Sequence, residues 1–228
     1  MPDAVVLDWE GVLTDTASAR RDALLRALSE EGVCLNAEAY TMQCDGQPLH
    51  NAVSNALAYL GRTDATLAGL VALRATRAFA ERLGKGFVLL PGAREFVEQV
   101  QLASRLGVVT CATRSETEFV LRLAGLDGAV SVIVSADDRL ELPPSPAMYE
   151  RALQQLAHRR PLRRDRVVAI APASCALRAA RAAGVRTLAL GAPAHVAVDA
   201  DGAVDAIDGL SPLDLSRLAG IATVERQP

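Results

Sequence analysis

Asp8 and Glu10 stand two residues apart at the end of the apolar run "AVVL" (4–7), and Gly11 follows them. A short apolar run of this kind reads as a buried strand, and its polar end marks where the strand leaves the core. Two carboxylates at such a tip suit nucleophilic attack by one and proton transfer by the other. A lone D-x-E would also serve as a plain turn, so its meaning depends on what else the chain brings to the same place.

Other candidates follow similar runs. Thr113 and Arg114 come after "GVVTCA" (107–112), Asp137, Asp138 and Arg139 after "VSVIV" (130–134), and Ala171 ends "VVAIA" (167–171), with "RTLAL" (186–190) the next run. Between them, residues 92–106, 116–126, 146–158 and 175–184 carry apolar residues at three- and four-residue spacing and end at or near Gly107, Gly125 and Gly184, as helices do. Strands alternating with helices imply right-handed βαβ units. The expected fold class is α/β, a Rossmann-like parallel sheet covered by helices on both faces. In such a sheet ligands bind outside the carboxyl ends of the strands, so Asp8, Thr113, Asp137 and Ala171 should converge on one crevice.

Residues 17–88 break the rhythm. "ASARRDALLRALSEEG", "PLHNAVSNALAYLG" and "ATLAGLVALRATRAFAERLG" read as helices with no strand between them, and "VLLPGAREF" (88–96) restores the alternation. The simplest division is a helical cap, 17–88, inserted after the first strand of a core made of 1–16 and 89–228.

In this order the motifs resemble those of the haloacid dehalogenase (HAD) superfamily. "LDWEGVLTDT" is similar to its first motif, D-x-D-G-x-x-x-D, and "VVTCATRSETEFVLRLAGL" to its second. "VSADDRLELPPSPAMYERAL" and "VVAIAPASCALRAARAAGV" are similar to the third and fourth in degenerate form. The helical insert and "LLPGAREFVEQV" are similar to the β-phosphoglucomutase and phosphoglycolate phosphatase branch. The resemblance implies Mg²⁺-dependent phosphoryl transfer on a small phosphorylated metabolite, in which positioning and charge neutralisation supply most of the catalysis. By position, Asp8 would be the nucleophile and Glu10 the acid/base. Thr113, with Arg114 beside it, would bind the phosphate. Asp8, the main-chain oxygen of Glu10 and Asp138 would hold the metal.

The match departs from the family pattern at the charges. Glu10 is one methylene longer than the usual Asp. Pro143 stands where the third motif has Lys, and the chain's single lysine is Lys85. Ala171 and Pro172 replace the acidic pair of the fourth motif, and neither can ligate a cation that wants oxygen. Arg114 and Arg139 are the nearest candidates for a replacement positive charge, and Asp137 and Asp138 for replacement metal oxygens. Two readings stay open. One is a hydrolase of phosphatase or phosphomutase type whose Mg²⁺-dependent catalysis is impaired, with Mg²⁺ as cofactor if active and none otherwise. The other is a non-catalytic relative that uses crevice and cap to bind a small ligand or a partner.

The remaining features exclude more than they assign. Net charge is −3 over 228 residues, so no global positive field recruits nucleic acid or acidic membranes. The basic run "RRPLRRDR" (159–166) reads as a solvated connection. No stretch reaches the roughly 20 apolar residues of a membrane span, and Asp3 before a four-residue apolar run gives no signal-peptide pattern. Cys34, Cys44, Cys111 and Cys175 are scattered, which fits reduced thiols and a cytoplasmic setting. His50, His158 and His195 lack metal-ligand spacing. Ser115 and Glu118 read as a capping box, and "DADG" (199–202) as a surface turn before a short strand "AVDAI". Oligomeric state leaves no signature in the sequence.

Overall fold

The computed structural model describes residues 1–86, 89–143, 145–158, 160–218, 220 and 221. The elements in chain order are β1 (Ala4–Asp8), α1 (Ala17–Glu30), α2 (Ala37–Gln43), α3 (Leu49–Tyr59), α4 (Ala65–Gly84) and α5 (Ala93–Ala103). Then come β2 (Arg105–Val109), α6 (Arg114–Ala124), β3 (Val132–Val134), α7 (Ala147–Leu156), β4 (Val167–Ala171) and α8 (Ser174–Ala182). Among the described residues these are followed by β5 (Arg186–Leu190), α9 (Ala194–Ala197), β6 (Gly202–Val204) and α10 (Pro212–Leu218). By Cα packing they form two compact units. One holds Met1–Asp15, Leu89–Thr110 and Arg114–Pro228, the other Thr16–Val88 with Cys111–Thr113.

Among the described residues the first unit holds a six-stranded sheet in the order β3-β2-β1-β4-β5-β6, with each strand parallel to its neighbours. The expected α/β class is what forms. Both faces are covered, as the alternation along the central strands shows. Ala4, Val6, Val167 and Ala169 share a core with Tyr149, Leu153 and Ala180 of α7 and α8. Their neighbours Val5, Leu7, Val168 and Ile170, which point the other way, are also fully buried.

In the second unit α1 packs along α4, and α3 against α4. Leu24, Leu28, Val53, Leu57, Val71 and Ala75 form its core. Asn36 caps α2 by accepting from Ala39 N–H at 2.8 Å, and Asp64 caps α4 by accepting from Thr66 N–H at 2.8 Å. Helix α2 is absent from the sequence reading, because seven residues give too short a period to stand out.

Several boundaries differ from the periodicity. The helix expected over 92–106 stops at Ala103. Ser104 turns extended and its hydroxyl donates to Pro2 O at 2.8 Å, while the Arg105 guanidinium donates to the carbonyls of Leu156 (2.7 Å) and Arg160 (2.6 Å). These side-chain bonds begin β2 two residues before the expected run. Gly107 is thus a strand residue rather than a helix stop, and Leu156 packs within 3.2 Å of where its Cβ would be. Helix α6 starts at Arg114, which places Ser115 inside its first turn instead of at its cap. The capping box of the region is Ser135 with Asp138, at the short 3₁₀ turn Ala136–Asp138. The last strand covers Gly202–Val204, slightly ahead of "AVDAI".

The basic run is spent on its own chain. Arg163 pairs with Asp165 at 2.7 Å, Arg164 donates to Ala183 O at 2.7 Å, and Arg166 pairs with Asp3 at 3.0 Å. Arg159 of that run, Pro144 of "PPSP", and residues 87 and 88 of the expected cap lie outside the described residues. In "DADG", Asp201 accepts from the Thr187 N–H at 2.8 Å and from its hydroxyl at 3.1 Å, and Asp199 from the Ser174 hydroxyl, so both aspartates fasten loops. No helix among the described residues is long and apolar enough to cross a membrane.

Candidate active site

Strand order reverses at β1: the chain goes from β1 to β2 and β3 on one side, and returns to β4 and β5 on the other. The two crossovers leave opposite faces of the sheet, so a crevice opens between the carboxyl ends of β1 and β4. Asp8 ends β1 and Ala171 ends β4, each one step past the Leu7–Ile170 pair. The sheet's own topology therefore brings the first and fourth motifs together.

Asp8 keeps some contact with solvent, and its carboxylate accepts main-chain N–H bonds from Trp9 and Glu10. Burial pushes its pKa up to about 7. The Trp9 N–H opposes that rise, the Glu10 charge adds to it, and the Glu10 N–H opposes it again. The carboxyl is poised between neutral and ionised near physiological pH. Trp9, between the two acids, is 2% exposed and is among the largest fully enclosed side chains.

After Asp8 the chain makes a tight turn. Gly11 N–H donates to Thr14 O at 2.8 Å, Leu13 N–H to Trp9 O at 3.2 Å, and Leu90 N–H to Leu13 O at 3.0 Å. Gly11 sits at φ +75°, where a side chain would be strained. A Cβ there would also come within 2.8 Å of Pro172 Cγ, so the Pro172 ring lies directly against the turn. Gly11 and Pro172 lie far apart in the chain, so their contact is not visible in the sequence. The available clue was a glycine in one motif and a rigid ring where another motif carries an acid.

The candidate cations and oxygens have other partners. Arg114 Nη2 donates to Ile133 O at 2.6 Å and lies 3.7 Å from Asp138, and Arg114 Nη1 is 3.9 Å from Glu118. Its main-chain N–H donates to Asp137 at 2.7 Å. Asp138 Oδ2 accepts from Ser135 N–H at 2.9 Å and its hydroxyl at 3.4 Å. Arg139 caps the 3₁₀ turn with φ 54°, in the left-handed region. Thr113 lies four residues beyond the carboxyl end of β2 and immediately precedes α6.

A small hard cation such as Mg²⁺ wants six oxygens in an octahedral array. Asp8 and Glu10 bring oxygens to this end of the sheet, but Ala171 is fully buried without one and Pro172 fills its own position with a ring. Among the described residues no group of three or more His, Cys, Asp or Glu is arranged to hold a metal. The residues present do not fit a resident Mg²⁺.

A family model described as haloacid dehalogenase-like hydrolase matches residues 2–184. No curated protein matches the chain. Among solved structures the chain is similar to β-phosphoglucomutase from Clostridium difficile, with a TM-score of 0.80 and 16% identity over 96% of this chain and 98% of that one. It is similar to a variant of CbbY from Rhodobacter sphaeroides in complex with xylulose-(1,5)bisphosphate, with a TM-score of 0.79 and 23% identity over 94% and 99%. It also resembles the HAD-hydrolase YfnB from Bacillus subtilis bound to magnesium, with a TM-score of 0.70 and 14% identity over 96% and 99%. At these identities the likeness is one of fold.

Proposed function

The chain belongs to the haloacid dehalogenase-like hydrolases, and from that premise we propose that it is a hydrolase of phosphatase or phosphomutase type acting on a small phosphorylated metabolite, with Mg²⁺-dependent turnover impaired. The observation that carries the reading is Asp8 itself. It stands at the carboxyl end of a central strand, at the switch point of the sheet, beside a second carboxylate. A CbbY variant of the same fold is found with a bisphosphorylated sugar, and this supports a phosphorylated ligand of similar size.

The chemistry follows from these groups. A carboxylate oxygen of Asp8 attacks phosphorus, and the bond from phosphorus to the leaving oxygen breaks as Glu10 delivers a proton to it. Glu10 then takes a proton from the water that attacks the aspartyl phosphate. The bond between phosphorus and Asp8 breaks, inorganic phosphate leaves and Asp8 is restored. Thr113 donates its hydroxyl to a phosphoryl oxygen. Arg114, with its guanidinium already on Ile133 O, contributes positive potential. The helical unit of residues 17–88 is the cap that selects the organic part of the substrate.

Impairment follows from charge. Two anionic groups about 4 Å apart repel by roughly 4 kcal/mol at an effective dielectric near 20, and each carboxylate meets the phosphate on those terms. With Pro143, Ala171 and Pro172 in place of a cation and two acids, little offsets that repulsion.

A panel of small phosphomonoesters with and without Mg²⁺ tests the proposal, with Asp8→Asn as control. The expected result is slow release of inorganic phosphate that Asp8→Asn abolishes and Mg²⁺ changes by less than about threefold. Turnover that survives Asp8→Asn removes Asp8 as nucleophile. Turnover raised a hundredfold by Mg²⁺ removes the impairment.

A further inference from the structure

We infer that Pro172 is a positioning residue that holds the turn after Asp8 by packing, in place of a bound cation, so that the free Asp8 crevice gains no stability from Mg²⁺. The inference takes from the proposed function only that Asp8 and Glu10 face one crevice, and it needs no turnover.

Three observations meet at this point. Gly11 has no side chain, and the Pro172 ring occupies the space one would need, with Cγ at 2.8 Å and Cβ at 3.3 Å from an added Cβ. Gly11 N–H is bonded to Thr14 O at 2.8 Å, so the ring bears on the residue whose amide closes the turn. Ala171, just before the proline, is fully buried at the end of β4 and paired with Ala189, so the ring hangs from one of the most constrained points of the sheet.

A proline ring has no rotamers to lose when it packs, so this contact fixes the turn at small entropic cost. A carboxylate at the same position would instead need a cation, because Asp8 and Glu10 already crowd the site with negative charge. Replacing an acid by a ring thus removes both the demand for a metal and the means of holding it. Asp138 Oδ2, a candidate replacement oxygen, already accepts from Ser135 N–H at 2.9 Å.

The test uses the full chain in buffer free of phosphate. Thermal unfolding is followed from zero to 10 mM MgCl₂, with CaCl₂ as a comparison, and amide exchange is read at Gly11 and at β5. For the wild type the midpoint is expected to stay within about 1 °C across the titration. Pro172→Ala should raise exchange at the Gly11 amide at least tenfold with β5 amides unchanged, and Mg²⁺ should not reverse the effect. Pro172→Asp should show the same loosening without metal and recover protection at Gly11 on adding Mg²⁺. A saturable Mg²⁺ stabilisation of the wild type overturns the inference, as does unchanged Gly11 exchange in Pro172→Ala. Both decisive readings stand even if Pro172→Asp fails to fold. Absence of phosphatase activity leaves these readings intact, so failure of the catalytic proposal and failure of the clamp are separable.

Discussion

Single residues set the electrostatics of the proposed site, and at Asp8 burial and the neighbouring Glu10 charge both disfavour the ionised carboxyl. Burial pushes its carboxyl up to about 7 in the folded chain, from an ordinary value of 3.8. Between those values the folded protein holds a proton that the unfolded chain has released, so folding stability falls as pH rises. The stabilising share from Asp8 is complete below about pH 4, declines toward 7, and is lost above it. Melting the wild type and Asp8→Asn in EDTA from pH 4 to 8 isolates this share. The wild type is expected to lose ground to the variant steadily across that interval and then run parallel to it. A gap independent of pH would place the carboxyl in a more solvated setting. The place of this residue at a strand tip was readable from the apolar run before it, but its titration was not. That depends on how the flanking turn closes over it. The partners of Arg114 and Asp138 were equally hidden, since side chains that look available in a sequence are claimed by carbonyls and caps.

Elements fix where those residues point, and the return from the helical insert into the sheet unit shows how tightly. Gly92 begins α5 with φ +73°, and a Cβ there would stand 2.4 Å from Asp208 Cα. Gly32, which follows α1 with φ +68°, has nothing within 4 Å. The two glycines separate backbone strain from collision. Gly32→Ala is expected to cost about 1 kcal/mol, the ordinary penalty for a side chain in the left-handed region. Gly92→Ala pays that and must also displace backbone, so a loss of about 3 kcal/mol or more is expected. Urea unfolding of both variants checks this, through the shift in midpoint at unchanged slope. Equal losses at the two sites would mean that the 208 loop yields freely. Strands β4 and β5 match the apolar runs read from sequence, because runs buried on both faces carry their own signal. The start of β2 did not, because the bonds that set it link Ser104 to Pro2 and Arg105 to Leu156, far apart in the chain.

Across the whole molecule the insertion at the first turn joins two units that each bury a core of their own. The cluster around Leu24, Leu28, Val53, Leu57 and Val71 draws only on residues of the helical unit, and the cluster around Val6, Tyr149, Leu153 and Ala169 only on the sheet unit. The proposed division into a substrate-selecting cap and a catalytic sheet calls for that separation, since changing one core should leave the other standing. Leu57 is 1% exposed at the centre of the helical cluster. Truncating a buried leucine to alanine removes about 2–5 kcal/mol, depending on how far the cavity collapses. Under native conditions Leu57→Ala is therefore expected to speed exchange of the protected amides in α1, α3 and α4 by roughly thirtyfold or more. Amides in β1, β4 and β5 should keep their wild-type rates, because sub-global opening of the helical unit does not expose them. Equal acceleration in both units would instead make the chain one cooperative block. Cap and sheet could then no longer vary independently, and a substrate-selecting role for residues 17–88 would lose its physical basis.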